Sequence, residues 1–145
     1  MRKIILTIVI AISLIGCSND EYSVSPLKGK WKLVQNLVIS NDEPTTLTWV
    51  DVPTENQYTF DIKNSGRIES SIHSCDGTSK KVDYEPLFSG DNIIKIEFDC
   101  TDNTENPFAI NGGAFFYTFE GNKMRLSYVS DVIDEGLPLK FERIE

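Results

Sequence analysis

Apolar and polar residues alternate in short runs from residue 29 to the end of the chain, and turn-forming residues bound each run. No long stretch there keeps the 3.6-residue period of a helix. A period of two over four to eight residues is the mark of a strand with one buried face. The runs predict strands at Lys30–Ile39, Leu47–Val52, Gln57–Lys63, Arg67–Cys75, Lys80–Tyr84, Asn92–Cys100, Ala114–Glu120, Lys123–Ser130 and Leu139–Ile144. So many short strands in a small domain predict an all-β fold, a sandwich or a small antiparallel up-and-down β-barrel of about eight strands.

The sharpest local unit is a hairpin around Glu120-Gly121-Asn122-Lys123. With Gly121 and Asn122 as the two loop residues, Phe119 opposes Met124, Tyr117 opposes Leu126 and Phe115 opposes Tyr128. All of these fall on one apolar face. The opposite face takes Glu120 with Lys123, Thr118 with Arg125 and Phe116 with Ser127. A slip of one residue would scramble this sorting, so the register is well specified. Tyr58, Phe60 and Ile62 share a face by the same logic, as do Ile94, Ile96, Phe98 and Cys100. Asn64-Ser65-Gly66, Asp76-Gly77 and Ser89-Gly90-Asp91-Asn92 are the predicted turns. Residues 101–113 read as a long loop, with Asn106-Pro107 and Gly112-Gly113 as breakers.

The N-terminus has a different pattern. Arg2 and Lys3 precede an apolar run from Ile4 to Ile15 that only Thr7 and Ser13 interrupt. It is shorter than the roughly 20 residues of a spanning helix and reads as a secretory signal. Leu14-Ile15-Gly16-Cys17 closes the run and resembles the lipobox of bacterial lipoproteins. That resemblance implies cleavage after Gly16 and diacylglycerol modification of the Cys17 thiol. Residues 1–16 would then be a signal peptide and 17–27 a lipidated acidic tether ahead of a domain at 28–145. The acyl chains would hold the protein at a membrane. Ser18-Asn19-Asp20-Glu21 is similar to the acidic export signal of surface lipoproteins in Bacteroidetes-type bacteria. The implied location is the outer membrane, with the cell surface as the further step.

Charge and cysteine usage narrow the function. The chain has 14 basic and 22 acidic residues, and the leader holds two of the basic ones, so the exported part carries −10. Such a surface repels phosphate backbones, which argues against nucleic-acid partners. With Cys17 taken by lipid, Cys75 and Cys100 are left as a pair in an oxidising compartment, and a disulfide is the default. If both cysteines ended strands one and three of a meander, those strands would lie about 9.6 Å apart. A bridge needs roughly 7 Å or less, so the strand ends would have to curl or the middle segment leave the sheet. Zinc would need more ligands than these two cysteines and His73 supply. Asp99, Asp102 and Glu105 are candidates for calcium, but their spacing is not that of an EF-hand. No catalytic constellation emerges: His73 is the only histidine, and Cys75 is spoken for. Neither an enzyme nor a bound cofactor is expected.

The domain opens with Leu27-Lys28-Gly29-Lys30-Trp31. This resembles the start of lipocalin-like domains, in which Gly-x-Trp begins the first strand and the tryptophan plugs one end of the barrel. The resemblance implies that Arg143, near the last strand, packs across Trp31 as a cation–π pair. The whole resembles small lipocalin-like lipoproteins of Bacteroidetes-type bacteria. That likeness implies a non-enzymatic binder of a small, partly apolar ligand. Tyr58, Phe60, Phe115, Tyr117, Phe119, Leu126 and Tyr128 would line the lumen. The alternative is a filled barrel that meets an envelope protein or glycan through its loops. Trp49 would then be a contact residue if exposed at the mouth, or a core residue if not.

Overall fold

The computed structural model describes residues 24–40, 43–82, 92–100, 105–129 and 137–145. Nine strands, each antiparallel to the strands it pairs with, follow one another along the chain: β1 (Gly29–Ser40), β2 (Thr46–Asp51), β3 (Thr59–Ile62), β4 (Arg67–Ser70), β5 (Gly77–Lys81), β6 (Ile93–Phe98), β7 (Gly112–Glu120), β8 (Lys123–Tyr128) and β9 (Leu139–Arg143). β3 pairs with β1, and each of β4 to β9 pairs with its predecessor. β9 pairs back with β1, which closes an eight-stranded antiparallel barrel. β2 is the extra strand. It lies end to end with β3 along one edge of β1, with the short 3-10 turn Thr54–Asn56 between them. Signal peptide, Cys17 and the predicted turn at 89–92 lie mainly or wholly outside the described residues.

The β7–β8 register is Phe115↔Tyr128, Tyr117↔Leu126, Phe119↔Met124 and Glu120↔Lys123, as the apolar sorting requires. Gly121 sits at φ +64°, the left-handed position a two-residue hairpin loop favours. The Asn64–Gly66 turn is closed by Gly66 N–H donating to Lys63 O. Gly66 has φ +82°, and a Cβ there would lie 2.4 Å from Ser79 O, so glycine is needed for both conformation and space.

Four expectations are corrected. β4 stops at Ser70 instead of running to Cys75, because Ser70 Oγ accepts from Ile72 N–H and Ser71 Oγ from Thr59 N–H. Such local side-chain bonds compete with the ladder. β5 begins at Gly77, so Asp76-Gly77 leads into a strand and Cys75 belongs at its entrance. Gly77 pairs with Phe98, so two residues outward Cys75 falls opposite Cys100 on neighbouring strands. The two are disulfide-bonded with a Cα–Cα distance of 5.8 Å, and no curl is required. Gly112 and Gly113 open β7 at positive φ instead of breaking a loop. Ahead of β1, Val24 and Leu27 are buried in the core.

The two barrel ends differ. One is closed by Trp31, which is 1 % exposed. Its indole N–H donates to Leu27 O at 2.8 Å, and the Arg143 guanidinium lies 4.5 Å from the ring centre. The other end carries the connections after β4, β6 and β8 and the β1–β2 hairpin. We call it the mouth.

Candidate functional site

The lipocalin-like resemblance predicts seven aromatic and aliphatic residues lining a lumen. Five of them, Tyr58, Phe60, Phe115, Tyr117 and Leu126, are buried in the barrel core. They fill it. Phe141 from β9 lies edge-on to Phe60 at 4.8 Å and to Tyr58 at 5.9 Å, occupying the centre. The space left among Tyr58, Phe60, Ile68, Ser70, Ile96, Phe98 and Ile110 is about 10 Å³, at most one water. Phe119 is not in the lumen. It is 41 % exposed at the closed end, 6.0 Å from Trp31. Tyr128 stands half-buried at the mouth, 4.4 Å from Phe115.

The mouth itself holds an open groove of about 560 Å³ between Asn36, Pro107, Phe108, Ala109, Tyr128, Leu137 and Leu139. That volume is in the range of small-ligand sites, and the walls are mostly apolar with a few polar groups. A bulge between Leu33 and Gln35 makes it possible. Asn36 pairs with buried Leu139 across it, so Asn36 turns to the groove side where unbroken alternation would have turned it outward. The opposite wall, residues 105–111, is tied down twice. Asn106 Nδ2 donates to Asn56 O at 2.8 Å, and Asn106 Oδ1 accepts from Phe108 N–H at 2.9 Å.

Tyr58 makes the floor of this anchoring. Its hydroxyl donates to Phe108 O at 3.1 Å and accepts from Ile110 N–H at 3.3 Å. Burial pushes the phenol well above its ordinary 10, although the Ile110 bond pulls slightly the other way. The folded state therefore keeps the neutral form. Stability from this group is complete below pH 10 and is lost as pH climbs toward the folded value. The loss is about 1.4 kcal/mol per pH unit above 10. Tyr58→Phe should abolish that part of the alkaline slope. It should also lower stability at pH 7 by about 1–3 kcal/mol, because Ile110 N–H and Phe108 O lose their partner. Urea midpoints from pH 7 to 11.5 for both proteins check this. Identical slopes above pH 10 would mean that Tyr58 ionises as readily folded as unfolded.

The remaining candidates lie apart from the groove wall. His73 sits half-buried in the bend before Cys75, stacked on Phe98 at 3.8 Å and sharing a hydrogen bond with Ser70 Oγ at 2.8 Å. Trp49 is neither core nor open contact. It lies on the outer wall under Lys140 Nζ at 4.1 Å, with Arg125 at 5.8 Å. Lys140 is 7 % exposed and pairs with Glu120 at 2.9 Å, which holds that carboxyl below the usual range. Asp102 lies outside the described residues, and no three of His, Cys, Asp or Glu cluster to hold a metal among those described. The groove residues Asn36, Phe108 and Leu137 escaped the sequence reading. The one signal for them was an apolar Pro-Phe-Ala-Ile run inside an otherwise polar loop. No family model, curated protein or solved structure matches this chain.

Proposed function

We propose that this is a lipid-anchored, lipocalin-like binding protein of the bacterial outer membrane, which takes a small, partly apolar ligand at the barrel mouth. The observation that carries the reading is the contrast in volume. About 10 Å³ is free among the core side chains, against about 560 Å³ in the apolar groove above them. The lipobox-like Leu14–Cys17 supports the anchor, and the acidic residues behind Cys17 support export to the surface. The groove offers an apolar wall, with Asn36 and Tyr128 to orient a polar group.

Titration of N-phenyl-1-naphthylamine, a neutral apolar fluorophore, tests the site. Ala109→Trp places an indole in the groove and should weaken binding at least ten-fold (about 1.4 kcal/mol) while leaving the urea midpoint within experimental error. Unchanged affinity in that variant would place the probe elsewhere. Failure of the unmutated protein to bind would favour a second reading, contact with an envelope protein. The outer half of β1 and β2 supports that second reading, because Ile39, Leu47 and Val50 are exposed there.

A further inference from the structure

We infer that the closed end of the barrel rests on the lipid surface and the mouth points away from it, so that the groove is filled from the aqueous side. This rests on the lipid-anchor reading. Three observations carry it. The first is reach. Seven residue steps separate Cys17 from Val24, which is already packed in the barrel. Fully extended, they span about 25 Å. The chain enters at the closed end, where Trp31 holds Leu27 and Arg143 Nη2 donates to Pro26 O at 2.9 Å.

The second is the surface of that end. Phe119 and Ile144 are 41 % and 44 % exposed. Phe119, Trp31, Pro26, Gly121, Asn122 and Arg143 frame an open dent of about 350 Å³. An aromatic ring beside a guanidinium suits the headgroup level of a bilayer, where rings favour the boundary and cations meet phosphates. The acids here are largely matched: Asp61 by Lys63 at 2.6 Å, Glu120 by Lys140 at 2.9 Å and Glu145 by Lys30 at 3.7 Å.

The third is the sorting of charge along the barrel. Residues 33–62, 68–79, 96–122 and 126–139 contain no Lys or Arg. These stretches include every connection at the mouth, where Glu43, Asp51, Glu55, Asp99 and Glu105 have no Lys or Arg neighbour in sequence. Asp76 also lies in such a connection, and Arg67 reaches it from β4 at 2.6 Å. Lys28, Lys30, Lys63, Lys123 and Arg143 sit at the closed end. Glu120, Glu142 and Glu145 lie at that same end. Among the described residues the closed end is therefore mixed, whereas the connections at the mouth carry acids alone. Anionic headgroups repel the mouth and tolerate the closed end.

The test uses the full acylated protein in vesicles of phosphatidylethanolamine and phosphatidylglycerol that carry a headgroup nitroxide lipid. A fluorophore is attached through Asn122→Cys at the closed end or Thr54→Cys at the mouth, with the native disulfide intact. Quenching should be at least three-fold stronger at position 122. Ile144→Asp, a surface change, should shrink that difference, and Phe119→Asp should shrink it further. Equal quenching at the two positions, or stronger quenching at 54, overturns the orientation. Acylation is read separately, by palmitate labelling in cells. If Cys17 is not acylated, the anchor reading fails. Proteins that instead carry the fluorophore on an azide-bearing residue at 122 or 54, coupled at Cys17 to a maleimide lipid, still report which end meets the bilayer.

Discussion

Trp31→Ala should lower the stability of the domain by about 4 kcal/mol, near the top of the range for a core aromatic. With a urea slope of about 2 kcal/mol per M, the midpoint falls by about 2 M. The residue does three things at once. It fills the closed end at 1 % exposure, packing near Phe119 at 6.0 Å. Its N–H satisfies Leu27 O at 2.8 Å, holding residues 24–27 against the barrel. Its outer face takes the Arg143 guanidinium at 4.5 Å. Smaller changes separate these roles. Trp31→Phe keeps most of the ring and loses the N–H bond, for about 1–1.5 kcal/mol. Arg143→Ala uncovers the ring and frees Pro26 O, for about 0.5–1 kcal/mol at so exposed a site. The order of the three is the discriminating result. A Trp31→Ala loss no larger than that of Arg143→Ala would mean that the barrel is held elsewhere and Trp31 merely caps it.

The closed end and the β7–β8 hairpin were legible because each depends on near neighbours. Gly121-Asn122 fixes a two-residue turn, and alternation then decides every pair up to Phe115↔Tyr128. Gly29 and Trp31 likewise announce their end of the barrel. The mouth was not legible, for reasons that involve distant residues. The bulge in β1 exists only in its pairing with β9, over a hundred residues later, yet it decides that Asn36 faces the groove. Whether Tyr58 and Phe60 line a cavity or fill one depends on Phe141, which enters from the last strand and takes the space between them. Alternation tells which residues point inward; only the sum of their volumes tells whether room is left. The end of β4 is not legible because Ile72-His73-Ser74-Cys75 keeps a strand-like pattern, while the hydroxyls of Ser70 and Ser71 divert the amides that the ladder would need.

The early end of β4 puts Cys75 at the entrance of β5, beside Cys100. Removing the disulfide with Cys75→Ala and Cys100→Ala together should cost about 3.5 kcal/mol, the loop-closure value for a sequence separation of 25. The double substitution is preferred because either single one leaves a reactive thiol. The register makes the bridge an extension of the β5–β6 ladder: Gly77↔Phe98 pair, and each cysteine lies two residues further out. The native state therefore needs no distortion to hold it, and the loss should come mostly from the greater freedom of the unfolded chain. Its local consequence should be confined to the mouth. The bend at 71–76, with His73 stacked on Phe98, would lose its covalent tie, while Trp31 and Arg143 lie at the far end. Amide exchange should thus rise at residues 71–77 and 98–100 beyond the global change, and the Trp31 environment should be preserved below the transition. The intact protein should show no free thiol at Cys75 or Cys100 without reductant. A loss below about 1 kcal/mol would show that the β5–β6 ladder and the filled core already hold these ends together, in the unfolded ensemble as well as the folded one.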